Sequence, residues 1–244
     1  IPNPKIFNDS FTDKVFAHFK GLLRKKNKDK FVLSVSGGAD SVLLLYLLCK
    51  YFEFDTNRLI ISHINHNLRK NSDIDEKFVL MLGEKLSIDT HIKNLDPDTI
   101  SRGDSTESWA RKHRYSFLNN IMEKVEAQWI LTGHHANDQA ETILMNISEK
   151  TGLFGLGGMK EINNNIIRPL LPYTKAQLMK VVSKYSIPFL EDSTNRDNYY
   201  KRNFIRNNVI APWLEKDNDL IESIIATGRN FKDWQDGMLY FVND

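Results

Sequence analysis

The chain has 244 residues, 41% of them apolar and 26% charged, with a net charge of +2; this suits one large domain, or one domain with a small appendage, around a real core. No apolar run approaches the roughly 20 residues a bilayer span needs, and the opening IPNPKIFNDS lacks a basic region followed by an apolar one, so a cytoplasmic location with no membrane partner is expected. The single cysteine, Cys49 in the apolar stretch LLLYLLCK, excludes an internal disulfide, a CxxC zinc site and a cysteine-held cluster, and reads as a small buried hydrophobe.

In chain order, KGLLRKKNKDK (20–30) carries six bases and one acid. It reads as a solvated helix end, with a nucleic-acid-facing patch as the alternative. FVLSVS (31–36) predicts a strand that runs through glycines into a helix from Ser41 to about Tyr51. RLIISHIN (58–65) predicts a second strand, followed by a helix from near Ser72 on which Ile74, Phe78, Val79, Met81, Leu82 and Leu86 fall close to helical spacing. IDTHIKNL (88–95) alternates as a strand, and a helix is expected from about Ser105 to Val125. QWILTGHH (128–135) is the fourth strand, with its helix from Asn137 to Ile147.

Beyond Ile147 the pattern changes. SEKTGLFGLGGMKEINNN reads as a glycine-rich connection, IIRPLLPYTK follows, and a helix is expected at 174–184. The stretch LEDSTNRDNYYKRNFIRNNVI is polar and basic. From Leu220, Ile221, Ile224, Ile225, Phe231, Trp234 and Met238 mark a final amphipathic helix. Strands alternating with helices predict an α/β fold: a doubly wound, mostly parallel sheet with helices on both faces, followed by a small helical C-terminal extension. The expected division is a catalytic domain at 1–215 and an extension, or the start of a further domain, at 216–244.

SVSGGADSVLLL (34–45) carries the chemistry. A loop that leaves a buried strand and opens into a helix points backbone N–H groups at one place, where the helix dipole adds roughly half a positive charge. That is an anion site, and Gly37 and Gly38 let a phosphate approach the backbone closely. Ser36 and Ser41 add hydroxyl donors around Ala39. Asp40 would repel a bare phosphate, so its presence implies a bridging cation, with Mg²⁺ expected. No lysine is placed as in GxxxxGK[ST].

The loop resembles the SGGxDS pyrophosphate loop of the ATP pyrophosphatase superfamily, whose adenine-nucleotide fold is of the class expected above. Further stretches resemble one of its families. SHINHNLR places His63, Asn65, His66, Leu68 and Arg69. ESWARKHRY places Glu107, Ala110, Arg111, Arg114 and Tyr115. HHANDQAET matches an HHxxDQxET segment, and IIRPLL and EDSTNRDNYYKRNFIR match later elements. Together they identify the chain as similar to the tRNA(Ile)-lysidine synthases over about residues 31–215. One departure is Asn137, where the family often carries a first aspartate.

The resemblance implies an ATP-dependent ligase that uses Mg²⁺, free L-lysine and a tRNA(Ile) with a CAU anticodon. The wobble cytidine O2 attacks the ATP α-phosphate and pyrophosphate leaves. The lysine ε-amine then attacks C2 and AMP leaves, and the anticodon changes from reading AUG to reading AUA. On this reading Ser36 to Ser41, His63 and His134 meet ATP, and Asp40 and Asp138 hold the metal. Asp40, Arg111 and Asp138 are catalytic, Arg111 facing the phosphate or the adenylated base. Glu107, Asp138 and Glu141 are candidates for holding lysine, and Lys201, Arg202 and Arg206 for holding tRNA. Glu107 and Arg111, four apart, share a helix face, as an ordinary surface ion pair also would. A strand-end histidine is most often structural, and His134–His135 lacks the further ligands a zinc site needs. Oligomeric state stays open, a dimer among the alternatives. The rival readings are a tRNA thiolase, a small-molecule amidating ligase and a nucleotide sensor without catalysis.

Overall fold

FVLS forms strand β1 (Phe31–Ser34), and the next two strands, β2 (Leu59–Asn65) and β3 (Asp89–Asn94), pair beside it in parallel register, Phe31 opposite Leu59 and Ile60 opposite Asp89. On the other side β1 pairs with β4 (Trp129–Leu131), and β4 with β6 (Ile166–Ile167), both in parallel. A hairpin strand, β5 (Ile162–Asn163), closes that edge antiparallel to β6, giving the order β3-β2-β1-β4-β6-β5. The computed structural model describes residues 7–23, 28–53, 55–68, 72–102, 105–191 and 200–243. They divide into two compact units, one of residues 1–133, 162–169 and 178–191 and the other of residues 134–161, 170–177 and 192–244.

The sheet belongs to the first unit, with helices α1 (Ser10–Leu23), α2 (Ala39–Tyr51), α3 (Ser72–Leu86) and α4 (Thr106–Lys124). In α2 every residue from Ser41 to Cys49 is buried, which is why its sequence shows no polar face. Each fully buried leucine or valine there contributes about 1.5–3 kcal/mol, so the loop at its N-terminus stands on a rigid base. Tyr115, Phe117 and Met122 of α4 pack on a cluster of Val32, Ile60, Leu118, Ile121 and Ile130, and Ile166 joins it.

The second unit contains α5 (Ala136–Ser148), the short α6 (Leu153–Leu156), a helical run from Lys201 to Leu214 and the long C-terminal helix Leu220–Asn243. Its core joins Ala136 and Ala140 of α5 to Ile205, Ile210, Leu220 and Ile221. Within the run, Ile205–Ile210 is wound as a π-helix. The helix expected at 174–184 is present as Lys175–Lys184.

The mostly parallel α/β expectation holds, with two local differences. The fourth strand ends at Leu131 rather than reaching 135, because Thr132–His135 turns into α5. The 148–165 stretch, expected as a connection, contains the short α6 and strand β5, and the hairpin turn from β5 into β6 has Asn164 at φ 53. Asparagine tolerates that left-handed conformation, so Asn164–Asn165 between two isoleucine-bearing pairs was the available signal. Among the described residues no helix is long and apolar enough to cross a membrane.

Candidate functional site

In the first unit, Gly37 takes φ +91, a conformation open to glycine without strain. Its carbonyl accepts from Leu190 N–H at 3.0 Å, and a Cβ there would meet Phe78, Leu190 and Val79 at 3.6–3.9 Å. The two serines knit the turn. Ser41 Oγ donates to Gly38 O at 2.9 Å, accepts from Ser36 N–H at 3.1 Å and lies 3.2 Å from Ser36 Oγ. Gly38, the N-cap of α2, supplies no side-chain cap, so first-turn N–H groups remain available to an anion. Ser36 is exposed and Gly38 and Asp40 are half-buried, so the turn is open to solvent on one side.

Gly133, at the end of β4, comes so close that a Cβ would sit 3.1 Å from Ser41 N and 3.2 Å from Asp40 O. A side chain would push on the helix N-terminus itself. The TG of TGHH is therefore part of the loop's geometry, which its sequence position alone did not reveal.

His63 is 3% exposed. Its Nδ1 lies 2.8 Å from Val35 O, one residue before the loop, so Nδ1 carries the proton and donates. Nε2 is buried with no protein partner. Burial, the largest influence, holds the imidazole below its ordinary value, against smaller upward pushes from the Val35 hydrogen bond, Asp75 and Glu76. A neutral ring with one acceptor nitrogen results.

On α4, capped by Ser105 Oγ accepting from Ser108 N–H at 3.1 Å, Arg111 and Glu107 are both exposed. The Arg111 guanidinium lies over the Tyr115 ring, 5.1 Å from its centre. The i,i+4 partner it uses is thus the aromatic one. Arg69 lies outside the described residues, as do residues 192–199, including Tyr199.

In the second unit, α5 opens with a reciprocal cap. Asp138 Oδ2 accepts from His135 N–H at 2.9 Å, and His135 Nδ1 accepts from Asp138 N–H at 3.4 Å. Burial pushes the Asp138 carboxyl up, but His135, Arg202 and His134 outweigh it and hold the group below the usual carboxylate range. Asn137 Oδ1 accepts from Lys175 N–H at 2.8 Å, so the residue that departs from the family pattern caps the helix at 175–184.

Glu141 is 1% exposed. Arg206 forks onto it, Nε to Oε1 at 2.6 Å and Nη2 to Oε2 at 3.0 Å, and Arg202 Nε donates to Oε2 at 2.7 Å. Arg202 Nη2 also reaches Asp138 Oδ1 at 3.2 Å. These two basic residues turn toward the acids of α5, whereas Lys201 pairs with exposed Glu149 at 2.8 Å. Among the described residues no group of three or more His, Cys, Asp or Glu converges as a metal site.

Two residues without an assigned part also stand out. Gln139 holds the glycine-rich segment through both ends of its amide: Nε2 donates to Met159 O at 3.0 Å and to Gly157 O at 3.3 Å, and Oε1 accepts from Met159 N–H at 2.7 Å. Arg168, in IIRPLL, is 4% exposed just after β6. Its signal was a charged residue at the carboxyl end of an inner parallel strand, where ligands of such sheets bind.

Among curated proteins, the tRNA(Ile)-lysidine synthase of Thermosipho africanus (strain TCF52B) is 38% identical over 202 residues, covering 82% of this chain and 47% of that protein. The same-named protein of Chlorobaculum tepidum is 38% identical over 193 residues, covering 78% of this chain and 58% of its own. The chain spans about half the length of the curated relatives it matches. Among solved structures, the U34-tRNA thiolase of Methanococcus maripaludis with its iron–sulfur cluster superposes with a TM-score of 0.74 at 16% identity, covering 92% of this chain and 79% of that one. That likeness is one of fold. A family model described as a PP-loop domain matches residues 11–212, a span that takes in the glycine turn, α4 and the acidic face of α5. On that extent the chain belongs to the PP-loop domain family.

Proposed function

We propose that this chain is the catalytic core of a tRNA(Ile)-lysidine synthase that works in the cytoplasm. The observation that carries the proposal is the open, uncapped N-terminus of α2 behind the Ser36–Ser41 turn, in a chain 38% identical to proteins of that name. The turn suits the β,γ end of a triphosphate, because N–H groups and hydroxyls oppose its negative charge without a lysine.

Asp40, half-buried in the turn beside the helix N-terminus, fits Mg²⁺ in the form it usually takes on nucleotides, held by one or two carboxylates, substrate phosphates and water. Asp40 and Asp138 are the proposed carboxylates, and the metal would offset charge on the phosphates. Ser36, Gly37, Gly38, Ala39 and Ser41 bind the leaving pyrophosphate. His63, neutral and with Nε2 as acceptor, and His134 are assigned to the nucleoside. The cytidine O2 attacks the α-phosphorus and the P–O bond to pyrophosphate breaks. Arg111 opposes the charge that develops on the α-phosphate.

Lysine arrives protonated, its unperturbed pKa being about 10.4. A carboxylate must orient the ammonium and take a proton before the amine attacks C2 and AMP leaves. Asp138, ionised across the neutral range, is the proposed group, with Glu107 and Glu141 as further candidates. Glu141 already carries two guanidinium partners, so its support is weaker. Lys201, Arg202 and Arg206 remain the proposed tRNA contacts, and Lys201, exposed on its helix, is best disposed for a phosphate.

Sulfur transfer finds no support in the sole cysteine: Cys49 is 1% exposed, and burial pushes its thiol up to about 12. The test is to incubate the protein with ATP, L-lysine and a CAU-anticodon tRNA(Ile) transcript, then digest the RNA for mass analysis. AMP, pyrophosphate and a lysine-modified cytidine are expected. Transfer of label from the γ-phosphate to any product would refute the proposal.

A further inference from the structure

Arg168 is a guanidinium almost without solvent, 4% exposed at the carboxyl end of β6. The strand beside it, β4, leads to Gly133, whose backbone abuts Ser41 and Asp40 at the glycine turn. Alternation along the strand puts Arg168 on the face of Ile166, which, like Tyr115, packs against the cluster of Val32, Ile60, Leu118 and Ile121 on the α4 side of the sheet. There Arg168 hydrogen-bonds with the Tyr115 hydroxyl. The same phenol carries the Arg111 guanidinium over its ring at 5.1 Å.

Two permanent cations therefore converge on one aromatic side chain. A guanidinium stays charged under all ordinary conditions, so neither can relieve the repulsion by losing a proton. Burial, the leading influence, and the nearby Arg111 both push the Arg168 guanidinium down, and only Tyr115 pushes it up. An arrangement chosen for packing alone would avoid that repulsion, because Tyr115 could be held by a neutral donor. It does concentrate positive potential at the strand ends, and it removes the freedom of a long exposed side chain that must meet a developing charge in one orientation.

We propose that Arg168 is a positioning residue for Arg111: by gripping the Tyr115 hydroxyl it fixes the ring on which the Arg111 guanidinium rests, and so aims that guanidinium at the phosphate undergoing adenylyl transfer. The proposal rests on the reading that Arg111 faces that phosphate, and two measurements separate the failure of one from the failure of the other.

The first needs no turnover. In protein labelled with ¹⁵N-arginine, the Arg111 side-chain Nε–H resonance should show restricted motion, and Tyr115→Phe, which keeps the ring and loses only the hydroxyl, should release it. Arg168→Gln should do the same. An Arg111 signal as mobile in the native protein as in Tyr115→Phe would overturn the proposal whatever the protein catalyses. The second is kinetic. Tyr115→Phe and Arg168→Gln should lower kcat for AMP release about ten- to a hundredfold with KM for ATP little changed, the signature of lost orientation. In an Arg111→Ala background, Arg168→Gln should have no further effect on kcat. Losses that simply multiply would overturn the proposal while leaving the role of Arg111 standing. Full kcat in Arg111→Ala alone would instead remove the reading beneath it, and the proposal with it.

Discussion

Replacing Glu141 by alanine tests the charge network on α5. The carboxylate is 1% exposed and accepts three charge-assisted hydrogen bonds, at 2.6, 2.7 and 3.0 Å, from two arginines. Bonds to charged groups contribute about 1.5–3 kcal/mol each, so a simple sum would exceed about 4.5 kcal/mol. That sum is too large. The Arg202 and Arg206 side chains keep 20% and 34% of their exposure, so water recovers part of the loss, and Asp138 still attracts both. Breaking a buried pair from one side removes about 3–5 kcal/mol, and the partial exposure places Glu141→Ala near about 3 kcal/mol. For a chain of this size that is a fall in Tm of about 6–12 °C. Glu141→Gln keeps the shape and one acceptor, and should lose about half as much. Urea titration and calorimetry read both numbers. A loss below about 1 kcal/mol for the alanine variant would show that the pairs behave as surface pairs and that this account of the second unit is wrong.

Asp9 accepts from Phe11 N–H and Thr12 N–H at 2.9 Å and from Lys184 Nζ at 3.0 Å, and also from the Tyr185 hydroxyl. Burial alone would raise its carboxyl, yet Tyr185, Thr12 and Lys184 hold it well below the usual range. Its contribution is therefore complete above the unfolded value of about 3.9 and is lost as pH falls through the lower folded one; Asp9→Asn should flatten the urea midpoint between about pH 4 and 2, and an unchanged slope would count against the assignment. Gly133→Ala puts a Cβ 3.1 Å from Ser41 N, so KM for ATP should rise about tenfold with little change in Tm, and an unaltered KM would mean that the close approach does not shape the site. Cys49, buried in α2, should resist a thiol reagent until the protein unfolds, and Cys49→Ala should keep lysidine formation; loss of turnover in a folded variant would revive sulfur chemistry.

The alternation of apolar strands with helices and the glycine turn were legible in the chain itself, because each depends on neighbours a few positions away. Buried strands need continuous apolar runs such as FVL, and a phosphate-facing turn needs glycines whatever surrounds it. The acids of α5 were legible as chemistry but not as partners. Glu141 meets Arg202 and Arg206 across 61 and 65 positions, and no local pattern distinguishes a basic helix facing RNA from one facing buried carboxylates. The same holds for the Asn137 cap, the Gln139 anchor and the Arg168–Tyr115–Arg111 chain, each of which joins segments far apart in sequence.

Backbone requirements and hydrophobic period thus determined the architecture and the location of the glycine turn from sequence alone. Which charged groups are spent on one another was decided only when folding brought distant segments within hydrogen-bond reach, since a side chain's electrostatic role depends on its burial and its neighbours.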